Sequence, residues 1–177
     1  MKYILTLLLW LNTLGWSASY DPFLLNTHLS LLPKIAMLEK SLFTHSKAPL
    51  KILIAYERED EETAESCAKF LMSKFNGGVN GHPLVVSIQP FDRLDTSNTY
   101  HLIYALKASL SQLKKVHNAV GSSGAITALY DADKLRDDGL LLSIQMERTP
   151  VILINSKALR ENRFSFPDSL LEMARII

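Results

Sequence analysis

The strongest constraint on the fold is the alternation of short apolar, β-rich runs with stretches of helical periodicity. Lys51 to Tyr56 (KILIAY) is such a run, and after it Ala64, Ala68, Leu71, Met72 and Phe75 fall on one helical face. Gly77-Gly78-Val79-Asn80-Gly81 breaks that helix, and Leu84 to Ile88 (LVVSI) reads as a second buried strand. Strand, helix and strand at this spacing predict a crossover unit with parallel strands in one sheet. The pattern then continues. Gln89 to Asn98 reads as a loop, Tyr100 to Leu106 as a strand, Leu110 to Val120 as an amphipathic helix ending at Gly121, and Ala125 to Leu129 as a fourth strand. Asp131 to Gly139 is a polar connection holding at most one helical turn. Leu140 to Gln145 and Pro150 to Asn155, joined by Glu147-Arg148-Thr149, predict an antiparallel hairpin on an otherwise mostly parallel sheet.

Helices are expected at both ends of this series. Asp21-Pro22 is a cap followed by a first-turn proline, and Leu24, His28, Leu31, Ile35, Leu38 and Leu42 follow at helical steps. Pro33 predicts a kink or a break near Leu31. Ser156 to Glu161 and Pro167 to Ile177 are expected to close the chain as helices. No repeat or linker divides it. The expected fold class is α/β: a single three-layer helix-sheet-helix domain over residues 20–177.

The first 19 residues read differently. Lys2 precedes an apolar run from Tyr3 to Leu11, too short to span a bilayer, and Ser17 and Ser19 supply small residues where a signal peptidase inspects the chain. A signal peptide over 1–19, cut after Ser19, and a periplasmic mature protein without a transmembrane segment are therefore expected; an uncleaved N-terminal anchor is the alternative. The chain has 19 Lys plus Arg against 18 Asp plus Glu, and loss of Lys2 leaves 18 against 18. That balance disfavours nucleic-acid binding, which needs a strongly basic face. In an oxidising compartment the single cysteine, Cys67, forms no internal disulfide. Its helical apolar neighbours predict a buried packing residue, with an intermolecular bridge as the alternative.

Local signatures of catalysis are missing. Gly121-Ser122-Ser123-Gly124-Ala125 lacks the final glycine of a nucleophile elbow and follows a helix, so a helix-to-strand turn is expected. His28, His45, His82, His101 and His117 fall singly on different elements, and on helical apolar faces His28 and His117 are expected as core or groove residues. A receiver domain would need an aspartate at the end of the third strand, which here runs out through Ala105-Leu106-Lys107. Glu57, Glu59, Asp60, Glu61, Glu62 and Glu65 crowd the end of the first strand and the start of its helix; a solvated helix N-terminus is the expectation. No catalytic residue, cofactor or metal ligand is assigned. Tyr56, Glu57 and Gln89 mark a candidate ligand edge, because parallel α/β sheets bind at the carboxyl ends of their strands.

From Ala125 onward the chain resembles the YfiR-like family of periplasmic regulators. The residues that carry the resemblance are AITALYD ending at Asp131, Gly139 before LLLSI, VILIN ending at Ile154-Asn155, Ala158 and Arg160 in the next helix, and Leu170, Leu171 and Ala174 in the last. Physically these are structural positions: Asn155 is suited to capping the following helix, and Ile154, Leu170, Leu171 and Ala174 to packing that last helix on the sheet. The resemblance implies a periplasmic regulator that binds the extracytoplasmic domain of an inner-membrane sensor protein. That partner would be a diguanylate cyclase whose output it inhibits, thereby lowering cyclic di-GMP synthesis, or a histidine kinase or chemoreceptor ectodomain by the same logic. The lone Cys67 and the Glu39-Lys40-Ser41 ending of the first helix depart from the family pattern. Homodimerisation stays open, and a periplasmic small-ligand-binding protein is the alternative function.

Overall fold

The computed structural model describes residues 19–42, 48–95, 99–121 and 124–177. The expected signal peptide, His45 and the Ser122-Ser123 turn lie outside these, apart from Ser19. Helix α1 (Pro22–Ala36) starts at Asp21, whose side chain accepts from the Leu24 N–H. Strand β1 (Leu50–Tyr56) leads through a 3-10 turn (Arg58–Asp60) into α2 (Glu61–Lys74). A short hairpin, β2 (Gly78–Val79) with β3 (His82–Pro90), precedes β4 (Leu102–Ala105), α3 (Leu110–Val120) and β5 (Ile126–Leu129). A single turn, α4 (Leu135–Asp138), then β6 (Leu142–Met146), β7 (Pro150–Ile154), α5 (Ser156–Glu161), α6 (Asp168–Met173) and β8 (Arg175–Ile176) complete the chain.

The strand order is β2-β3-β1-β4-β5-β6-β7-β8. β3, β1, β4, β5 and β6 run parallel, and the hairpin β6-β7 is antiparallel with Ile144 opposite Ile152. Because strand side chains alternate, β1 supplies both faces: Ile52, Ile54 and Tyr56 belong to the core shared with α1, α2, α5 and α6, while Leu53 and Ala55 belong to the core shared with α3. The result is the expected three-layer α/β domain.

Four expectations need correcting. α1 is not broken near Leu31; it runs unbroken through Pro33 and stops at Ala36, so Leu38 and Leu42 lie beyond it. Pro33 falls in the last turn, where the one lost hydrogen bond is outweighed by burial of Leu29, Leu32, Ile35 and Ala36 against the sheet. The chain end is not helical to Ile177: Ala174 is extended, and β8 pairs parallel with β7, Leu153 beside Arg175 and Ile154 beside Ile176. Gln89 belongs to β3, not to a loop. The glycine-rich breaker is itself a hairpin, with Asn80 at φ 50° and Gly81 at φ 83° forming the two-residue turn that Asn-Gly favours.

Candidate functional site

The order β3-β1-β4-β5 sends the chain from β1 outward to β3 and then back across β1 to β4. α2 covers one face and α3 the other, so their strands diverge at β1 and β4 and leave a crevice at the carboxyl edge, where ligands bind in this kind of sheet. Two different surfaces occupy this edge.

The first is open. Tyr56 ends β1 with its ring largely buried and its hydroxyl 3.3 Å from Glu61 Oε1; burial, then Glu61, pushes the phenol pKa up. Arg58 donates through Nε (2.9 Å) and Nη2 (2.5 Å) to Asp92 Oδ2, a pair that lowers the Asp92 pKa and raises that of the guanidinium. Tyr56, Arg58 and Pro90 line two neighbouring depressions. One, of about 320 Å³, is lined by Tyr56, Arg58, Glu61, Pro90 and Arg93. The other, of about 200 Å³, has Glu57, Phe91 and Gln112 along its wall. Glu57 is half-buried, and desolvation followed by repulsion from Glu59 and Asp60 raises its carboxyl pKa. Tyr56 and Glu57 thus line one depression together, while Gln89 sits on the neighbouring strand beside Ala55 and outside that lining. The Gln89 amide accepts from the Asp95 N–H at 2.9 Å and donates to the Tyr100 hydroxyl at 3.3 Å, holding the segment after β3.

The second surface is the crevice itself, and it is filled by the chain. The Tyr20 hydroxyl donates to Asp60 Oδ2 at 2.6 Å and accepts from the Lys107 N–H at 3.0 Å. Its ring stands edge-on to Tyr130 at 4.9 Å, with the Lys107 ammonium 5.2 Å above it and also bonded to the Ser19 carbonyl. The Asp21 N–H donates to the Tyr130 hydroxyl at 2.8 Å. Burial, then the bond to Asp60, raises the Tyr20 phenol pKa. Asp60 is only 1% exposed, so the expectation of a solvated acidic run fails at this one residue. In the sequence Asp60 reads as one of an acidic run, Lys107 as the end of a strand and Tyr130 as part of AITALYD, and Tyr20 carries no signal, so the four do not read as one site. The available signal was a lysine directly after the third strand facing an aspartate after the first.

The residues that carry the family resemblance are scattered through the scaffold. Asn155 caps α5 through Oδ1, which accepts from the Lys157 and Ala158 N–H groups, and its Nδ2 donates to the Leu135 carbonyl. Ile154, Ala158 and Leu170 are buried in one core, with Leu171 and Ala174 partly buried against it. Asp131 pairs with Lys134 at 2.9 Å, and Arg160 is exposed. Gly139 has φ 79°, and a Cβ there would meet His117 Nδ1 at 2.9 Å. Cys67 is buried, and desolvation pushes its thiol pKa up to about 12. His28 is fully buried: Nε2 donates to the Ile144 carbonyl at 2.7 Å, and burial lowers its pKa to about 4. Among the described residues no group of three His, Cys, Asp or Glu side chains is placed to hold a metal ion, and no helix is long and apolar enough to cross a membrane.

No protein-family model matches the chain, and no curated protein matches it significantly. Among solved structures, it is similar to a conserved domain protein from Vibrio cholerae O1 biovar eltor, with 13% identity and a TM-score of 0.56 over 90% of this chain and 61% of that one. It is also similar to the ABC domain in complex with L-Trp from Streptococcus pneumonia, with 14% identity and a TM-score of 0.54 over 82% of this chain and 61% of that one. The chain therefore spans about three-fifths of the length of both. At these identities the likeness establishes a shared α/β fold.

Proposed function

We propose that this protein is an exported, non-catalytic regulator that binds the extracytoplasmic domain of an inner-membrane signalling protein through the edge formed by Tyr56, Glu57, Arg58 and Arg93. The YfiR-like resemblance makes a diguanylate cyclase the first partner to test. Different affinity for two states of that partner would shift its output. The observation that carries this reading is the chemistry of the edge. Small-molecule pockets are lined mostly by apolar side chains with a few polar groups, whereas Arg58, Arg93, Glu57, Glu59, Glu61 and Asp92 set charges of both signs around the depressions beside Tyr56, the lining of a polar interface rim. The deeper crevice beside them is occupied by Tyr20. The test is capture from solubilised inner membranes with the wild type and with an Arg58→Glu, Arg93→Glu variant. A protein carrying a sensor domain, retained by the wild type and lost by the variant, is expected; equal retention by both refutes the edge.

A second reading has its own observation. Arg58, Arg93 and Glu61 surround the Tyr56 ring and Pro90, a set complementary to the carboxylate, ammonium and side chain of an amino acid, and one similar structure holds L-Trp. A rise in melting temperature with L-Trp, abolished by Arg93→Glu, would favour it, since a ligand that binds only the folded state stabilises it.

A further inference from the structure

The crevice between β1 and β4 has the lining of a binding site, and its occupant is a residue of the chain's own N-terminal segment. Tyr20 immediately precedes the cap of α1, and it is half-buried beside an exposed Ser19. Every polar feature of its ring is matched by the walls. The Asp60 carboxylate takes the hydroxyl hydrogen, the Lys107 N–H points at the hydroxyl oxygen, Tyr130 meets the ring edge-on, and the Lys107 ammonium sits over its face. Asp60 is a carboxylate withdrawn from water in front of an aromatic hydroxyl, which is how a site rejects a ring that lacks one. The polar lining also extends past what Tyr20 uses. The His28 ring lies 5.5 Å from Tyr130 and 5.6 Å from Tyr104, and both His28 Nδ1 and the Tyr104 hydroxyl are buried without a hydrogen-bond partner. A purely structural plug leaves no reason for two unsatisfied polar atoms in the ring stack beneath it.

We infer that this crevice is a recognition site for a small phenolic ligand, and that Tyr20 is its displaceable intramolecular occupant, so that the N-terminal segment competes with ligand for the site. This inference does not rest on the open edge being a partner surface. The probe is p-cresol, with toluene as the control lacking the hydroxyl, titrated by calorimetry into the exported protein from Tyr20 onward and into its Tyr20→Gly variant. The variant should bind p-cresol saturably and at least about tenfold more tightly than toluene, because toluene offers the Lys107 N–H no acceptor and Asp60 no hydroxyl. The wild type should bind p-cresol at least about tenfold more weakly than the variant, since its own phenol competes. Equal affinity for the two probes, or equal affinity of the two proteins, overturns the inference. Amide hydrogen exchange on the wild type decides the case if the variant does not fold. The Lys107 N–H, held by Tyr20, should exchange at least about tenfold faster than the adjacent Leu106 N–H, held by the Ala55 carbonyl of the sheet. Equal protection of the two amides makes Tyr20 part of the core and overturns the inference.

Discussion

Two buried groups should oppose each other in acid, and replacing one should expose the other. His28 is 0% exposed, with its pKa lowered from 6.5 to about 4. Asp138 is 1% exposed; desolvation above all raises its carboxyl from 3.8 to about 6, with a smaller lowering from the Leu140 N–H bond and His117. Between about pH 6.5 and 4 the unfolded chain takes up a proton at residue 28 that the folded protein refuses, so stability falls on acidification. Between about pH 6 and 4 the folded protein takes up a proton at residue 138 that the unfolded chain does not, so stability rises on acidification. At about 1.4 kcal/mol per pKa unit, each contribution is about 3 kcal/mol, and the two nearly cancel over this range. Asp138→Asn keeps an oxygen to accept from the Leu140 N–H, now 2.7 Å away, and removes only the titration. Urea unfolding followed by far-UV circular dichroism at half-unit steps from pH 4 to 7 measures the difference between variant and wild type, in which other carboxylates drop out. The variant should gain about 2.4 kcal/mol relative to the wild type at pH 7 compared with pH 4. A difference that does not change with pH refutes the reasoning.

Three further predictions concern the scaffold. Leu170→Asp places an unpaired charge in the core that α6 closes and should cost about 5 kcal/mol or more, enough to unfold the domain, while the half-buried Leu171→Asp should cost less; circular dichroism and size-exclusion chromatography distinguish the two. Gly139→Ala forces a left-handed backbone on a residue with a Cβ and drives it into His117, so a loss of about 2 kcal/mol or more in denaturant unfolding is expected. Cys67, with its thiol pushed up to about 12, should be roughly one part in ten thousand thiolate at pH 8 and react with Ellman's reagent only at the rate of unfolding; prompt reaction in the native protein contradicts its burial.

The layered architecture was legible because it follows from periodicity. α3 and α5 appear with the bounds read from Leu110–Val120 and Ser156–Glu161, since each has an unambiguous start, Ser109 and Asn155 capping through their side chains. The antiparallel hairpin β6-β7 was likewise readable from two apolar runs and a short joint. β8 was not, because two residues carry no periodicity; it forms only because the chain, after α5 and α6, returns beside β7, where the Ile177 N–H meets the Ile154 carbonyl. Pro33 misled because local propensity was overruled by tertiary burial. At the candidate site, Tyr56 and Glu57 were placed by a rule about strand ends. Tyr20, Asp60 and Lys107 meet across 40 and 87 residues of sequence, so no local pattern announces them. Glu39 is the same kind of case. In place of the helix ending expected from the family, its buried carboxylate accepts from Ser41, Leu42 and the distant Ser165 N–H, tying the end of α1 to the segment before α6.

The central claim, that the strand-end edge meets a membrane signalling protein, is tested most directly by a photo-crosslinking residue placed in living cells at position 93, beside the Arg58–Asp92 pair, and separately at position 81, in the β2-β3 turn. Irradiation should give an adduct between position 93 and the extracytoplasmic domain of an inner-membrane sensor, and none from position 81. Adducts arising from position 81 alone, or none with a membrane protein from position 93, would contradict the assignment.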